Sequence, residues 1–126
     1  MKRIFLLIAM LGTLFTINAQ SLQGVLKGVE AGNAAVIAQN IADNVILTLS
    51  DKSDTYNKKE AEAQLKDFFA KNKVSSFETK HKGASPNGSF AVGTLKTAKG
   101  NYRVNIFMKN DAKGEMIKEL RFVLLE

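Results

Sequence analysis

The chain has 126 residues, with 18 Lys+Arg against 12 Asp+Glu, a formal net charge of +6. It holds no Cys, one His, one Pro and no Trp. That excludes a disulfide framework, a thiolate metal site and a thiol nucleophile, and leaves too few imidazoles for a His-built metal centre. The length is that of one domain.

Met1-Lys2-Arg3 is a short basic start, followed by the apolar run Ile4 to Leu11 and a weaker continuation through Thr16. Ile17-Asn18-Ala19 then sets aliphatic and small residues where a signal peptidase reads. Residues 1–19 are therefore predicted to be a secretory signal peptide cut after Ala19, too short an apolar stretch to span a membrane comfortably. Removal of 19 residues leaves 107 (20–126), and loss of Lys2 and Arg3 leaves 16 basic against 12 acidic residues, net +4. That length is enough for one cooperative core. The expected location is outside the cytoplasm, periplasmic or secreted, with a bacterial envelope favoured by the lack of Cys in an exported chain. No stable membrane anchor is expected after cleavage.

In the mature chain, Leu22, Val25, Leu26 and Val29 predict a helix over 21–31, ended by Gly32-Asn33. Asn33 caps a second helix over 34–41. Val45-Ile46-Leu47-Thr48-Leu49 reads as a buried strand and Ser50 to Asp54 as a polar loop. Asn57 with Glu60 three residues on is a capping box, flanked by the staple pair Tyr56 and Ala61. Ala61, Leu65, Phe68 and Phe69 then form one apolar helix face, closed near Asn72.

Four strands are predicted at 74–82, 89–97, 101–109 and 115–125, with a longer loop from Gly83 to Gly88. A tight turn at Lys99-Gly100 sets Leu95 against Val104, Gly93 against Ile106 and Ala91 against Met108. Leu120, Phe122 and Leu124 join that apolar face. The opposite face carries Val92, Arg103, Asn105, Phe107, Ile117, Glu119, Arg121, Val123 and Leu125. Helices first and strands later is the ordering of an α+β domain.

This order resembles the nuclear transport factor 2-like superfamily. The residues that carry the likeness are Gly32-Asn33, the strand Asn44 to Leu49, Tyr56 leading to Ala61, Leu65 to Phe68-Phe69, Phe77 with His81, Val92-Gly93-Thr94-Leu95 and Tyr102-Arg103-Val104. More closely, the chain is similar to a family of small secreted Bacteroidota proteins with a domain of unknown function. The resemblance implies an α+β cone, with N-terminal helices packed on a curved, mainly antiparallel sheet around a pocket. It implies no particular activity, because such a fold hosts isomerases, hydrolases and binding modules alike.

His81, in phase with Phe77 and Thr79, is expected to point inward, and with Tyr56 and Tyr102 forms the candidate ligand-binding set. A pocket His would serve as base or anion ligand, but no carboxylate partner is identifiable beside it, and Asp43 and Asp67 read as turn and solvated-face residues. No catalytic pair, no metal site and no cofactor is predicted. Basic residues are scattered, without a stacking set of aromatics, so nucleic acid is not an expected partner. Phe107, Arg103, Arg121, Val123 and Leu125 on the mixed face form the candidate interface, through which a homodimer would assemble. The expected function is an exported, non-enzymatic binding or protein-interaction domain with a small ligand or protein as partner. The alternative is a small pocket enzyme of isomerase or hydrolase type built on an inward His/Tyr/Asp set.

Overall fold

The computed structural model describes residues 17–112 and 114–125, with side chains from residue 21 onward. The basic start and apolar run of the predicted signal peptide lie outside these residues, as do Lys113 and Glu126.

Helix α1 (Ile17–Ala31) begins upstream of the expected cleavage point after Ala19. It buries Val25, Leu26 and Val29 as its periodicity requires. Gly32, at φ +64°, ends it in a Schellman turn. Asn33 N–H donates to the Gly28 carbonyl at 2.8 Å, and Gly32 N–H donates to the Val29 carbonyl at 3.1 Å. Asn33 then caps α2 (Ala34–Ala38), its side chain accepting from Val36 N–H at 3.2 Å. This helix stops three residues short of the expected end, yet Ile41 beyond it is fully buried.

Strand β1 (Asn44–Leu49) is followed by β2 (Lys52–Asn57), not by the expected polar loop. The chain reverses at Ser50-Asp51, with Ser50 at φ +62° and its N–H donating to the Phe122 carbonyl at 2.7 Å. β2 is an exposed edge strand of Lys, Ser, Asp and Thr, so it lacks the apolar alternation by which strands are read from sequence. It leads into α3 (Lys58–Lys71), whose capping box is formed in full: Glu60 N–H donates to Asn57 Oδ1 at 2.8 Å, and Asn57 N–H donates to Glu60 Oε1 at 3.1 Å. Ala61, Leu65, Phe68 and Phe69 are its buried face, as read, and Asn72 is its C-cap.

Strands β3 (Val74–Ser85), β4 (Gly88–Thr97), β5 (Gly100–Asp111) and β6 (Gly114–Leu125) complete a six-stranded sheet of order β2-β1-β6-β5-β4-β3. All neighbours are antiparallel except β1 and β6, which run parallel. The domain is thus α+β with a mostly antiparallel sheet.

Three local features revise the expected registers. The segment from Gly83 to Gly88 is a tight hairpin around Pro86-Asn87, with Ser85 opposite Gly88. The β4–β5 turn is Ala98-Lys99, so Leu95 faces Tyr102, Gly93 faces Val104 and Ala91 faces Ile106. The slip from the expected pairs is two residues, which preserves each side chain's face and changes only its neighbour. A bulge at Lys118 in β6 sets Met108 opposite Ile117 directly after Phe107 opposite Glu119. One extra residue reverses the alternation, so Ile117 joins the core instead of the outer face. Its N–H donates to the Asn40 carbonyl at 2.6 Å, tying the bulge to the chain after α2.

The core is one cluster between the helices and the inner face of the sheet. Phe68 lies at its centre, with ring centroids 5.0 Å from Tyr102, 4.9 Å from Phe122 and 5.5 Å from Phe69. Tilted and edge-on aromatic contacts of this kind each add about 0.5–1.5 kcal/mol beyond the area they bury.

Candidate functional site

The three predicted ligand-binding residues do not converge. Tyr102 is on the inner face and 5% exposed. Its O–H donates to Asn72 Oδ1 at 2.9 Å, and Asn72 Nδ2 donates to the Phe68 carbonyl at 2.9 Å. The phenol therefore closes the C-terminal end of α3 onto β5, and its one proton is committed to a buried acceptor. Tyr56 packs against the core from β2, in the staple position its sequence context indicates. His81 is exposed. A bulge at Lys80 separates the Thr79–Gly93 pair from the His81–Val92 pair and turns His81 onto the outer face. This corrects the inward placement read from its phase with Phe77 and Thr79, because one inserted residue reverses every later side chain. Tyr56 and His81 lie on opposite edge strands, five strand spacings apart, or about 24 Å. Asp67 is paired with Lys71 at 3.1 Å on the solvated side of α3. Among the described residues, no three His, Asp or Glu side chains form a metal-binding group.

The outer face is where chemistry-bearing side chains do converge. One registered row runs Gly83, Phe90, Phe107, Glu119, Ile46, Thr55 from edge to edge. The next runs His81, Val92, Asn105, Arg121, Thr48. A third runs Glu78, Thr94, Arg103, Val123, and Leu125 follows one step beyond, opposite Asn101. The five predicted interface residues, Arg103, Phe107, Arg121, Val123 and Leu125, thus share one surface. Sequence parity found them because β5 has no bulge and β6 has none after Lys118.

Phe90 and Phe107 are cross-strand partners, each 39% exposed. Phe90 was not among the predicted interface residues, although its parity with Val92 marked it. Its ring lies across Gly83: a Cβ there would stand 2.9 Å from Phe90 Cζ, so the missing side chain is what lets the ring lie flat. The two rings line an open groove of about 530 Å3 together with Ser85, Ser89 and Lys118.

The polar members of this face are unevenly satisfied. Arg121 Nε is 3.8 Å from Glu119 Oε2, a loose contact, whereas Arg103 forms no ion pair among the described residues. Asn105, between Val92 and Arg121 at the centre, has a buried Oδ1 that accepts no hydrogen bond from the described residues. A buried acceptor left in that state costs about 1–3 kcal/mol. The described helices pack on the opposite face: Val25 and Val29 of α1, Ile37 of α2 and Phe68 of α3 share one core cluster with Tyr102 and Phe122.

A family model for a domain of unknown function, DUF4783, matches residues 22–123. The chain belongs to the DUF4783 family. A DUF4783 protein of Bacteroides uniformis, solved as a crystal structure, is 32% identical with a TM-score of 0.80, the match covering 82% of this chain and 96% of that one. The corresponding protein of Bacteroides ovatus is 34% identical with a TM-score of 0.78, covering 82% and 94%. A solved protein designated Rd1NTF2_05 is 12% identical with a TM-score of 0.65, covering 85% and 96%, a likeness of fold alone. No curated protein matches the chain. The matched span takes in β1 to β5 whole and β6 up to Val123, so of the outer-face residues named above only Leu125 lies beyond it.

Proposed function

We propose that this DUF4783 chain is an exported, non-catalytic interaction domain, an NTF2-like cone whose outer sheet face is its docking surface. The observation that carries the reading is the Phe90–Phe107 pair: two rings 39% exposed, side by side in register, on a face that the described helices do not cover. Burial of such a pair is worth roughly 25 cal/mol for each Å2 removed from water, before the costs of association. Val92, Val123 and Ile46 extend the apolar area, and Arg103, Glu119 and Arg121 supply a polar surround, the composition of a protein interface.

The pocket-enzyme alternative has less in its favour. Its candidate groups sit on two faces and opposite edges of the sheet, and the interior where a substrate would lie is filled by Phe68, Phe69, Tyr102 and Phe122. Export rests on the basic, apolar and small-residue order of residues 1–19.

A photo-crosslinking phenylalanine analogue at position 107, expressed in the native envelope, tests docking without presupposing the partner. A discrete protein adduct is expected from position 107 and none from Gln64, exposed on α3. Equal labelling from both positions, or none from 107, would remove the outer face as a docking surface.

A further inference from the structure

We infer that the partner this face receives is an acidic segment of another protein, in which an apolar side chain is bracketed by carboxylates. It rests on the docking reading above and adds the chemistry of the partner.

The charge on the outer face is one-sided. Along β5, Arg103, Phe107 and Lys109 share the outward parity, and Lys96 has the same parity as Phe90 on β4. Lys118, the bulge residue of β6, lines the aromatic groove together with Lys109. Lys96, Arg103, Lys109 and Lys118 are exposed and form no ion pair among the described residues. The carboxylates of the same face are already engaged. Glu78 is held by Lys80 at 3.0 Å, and Glu119 lies 3.8 Å from Arg121. Asp111, near the tip of the β5–β6 hairpin, has a partner as well. The face therefore presents cations in want of anions around a pair of exposed rings.

That combination selects among occupants. A second copy would bring the same cations against one another, and like charges across an interface repel. A polyanion without apolar groups would satisfy the cations and leave the Phe90–Phe107 pair, each ring 39% exposed, uncovered. An acidic segment with an apolar anchor answers both. Burial of the rings then supplies affinity, while the cations steer the encounter and reject basic or neutral competitors.

The spacing fits an extended chain. Lys109, Phe107, Asn105 and Arg103 follow at alternate positions of β5, so each step is about 7 Å. An extended segment laid roughly along β5 repeats at the same interval. With its apolar anchor on the Phe90–Phe107 pair, one neighbouring carboxylate reaches Lys109 and Lys118. A small polar residue falls beside Asn105, and a second carboxylate reaches Arg103.

Photo-crosslinking from position 107 in the native envelope, with the crosslinked segment sequenced by mass spectrometry, tests the chemistry of the occupant. The expected segment carries Asp or Glu on both sides of an apolar residue, within about four residues of it. Arg103→Glu combined with Lys118→Glu should lower the adduct yield about tenfold, whereas Lys66→Glu, on the exposed side of α3, should leave it unchanged. Circular dichroism and the urea midpoint of the purified variants serve to confirm that all of them fold. A synthetic peptide copying the crosslinked segment should bind residues 20–126, and should bind about tenfold more weakly with Gln and Asn in place of its Glu and Asp, or as salt is raised.

An adduct to a neutral or basic segment, to a second copy of this chain, or to a lipid or glycan would overturn the acidic partner while sparing the docking surface. So would an adduct whose yield the reversal of Arg103 and Lys118 leaves unmoved. No adduct from position 107 would remove both.

Discussion

Tyr102→Phe removes one oxygen from the buried end of the core. The ring stays, so its edge-on contact with Phe68 at 5.0 Å is unchanged. What is lost is the O–H donated to Asn72 Oδ1 at 2.9 Å. Asn72 is itself buried, at 7% exposure, and its Nδ2 is already committed to the Phe68 carbonyl. The carboxamide oxygen is then stranded without a donor, which costs about 1–3 kcal/mol. With a urea slope of about 1–3 kcal/mol per M for a domain this small, the unfolding midpoint should fall by about 1 M with the slope unchanged. The decisive form of the assay is a double-mutant cycle with Asn72→Ala. Once the acceptor is gone, Tyr102→Phe should cost far less, because the phenol O–H then has no partner to lose. An identical loss in both backgrounds, or none in the wild-type background, would refute the account of Tyr102 as a structural tie between α3 and β5. A ligand-binding Tyr102 would leave the midpoint unchanged in the free protein.

Phe68→Ala empties the centre of the aromatic cluster and should destabilise the fold by about 3–5 kcal/mol in urea, a large part of the 5–15 kcal/mol usual for a domain. Gly83→Ala should displace the flexible end of the Phe90 ring, leaving the urea midpoint nearly unchanged while lowering the yield of the photo-crosslinked adduct from position 107. Intact mass of the protein from the native extracytoplasmic fraction should correspond to a chain beginning at Gln20, and a species beginning at Met1 would contradict export with cleavage after Ala19.

The helical half of the domain was legible wherever a local signal and a tertiary contact agree. Asn57 with Glu60 marks the start of α3, and Ala61, Leu65, Phe68 and Phe69 mark its face, because capping and the 3.6-residue period are short-range properties. β2 was not legible, since an exposed edge strand such as Lys52 to Asn57 needs no apolar alternation and is held by its pairing with β1. Faces survived the two-residue error at the β4–β5 turn, because only odd slips exchange them. They did not survive bulges. Lys80 moved His81 outward and Lys118 moved Ile117 inward, and neither bulge has a glycine or proline to announce it. The candidate interface was legible for the complementary reason: Arg103 to Phe107 and Glu119 to Leu125 are bulge-free runs in which period two holds throughout. Parity with Val92 already sets Phe90 on this face, and what parity along one strand does not supply is Gly83, the cross-strand neighbour whose missing side chain leaves room for the ring.

Photo-crosslinking from position 107 in the native envelope is the most direct test of the outer face as a docking surface. The expected result is a discrete protein adduct from position 107 and none from Gln64 on α3. Equal labelling from both positions, or none from position 107, would contradict it.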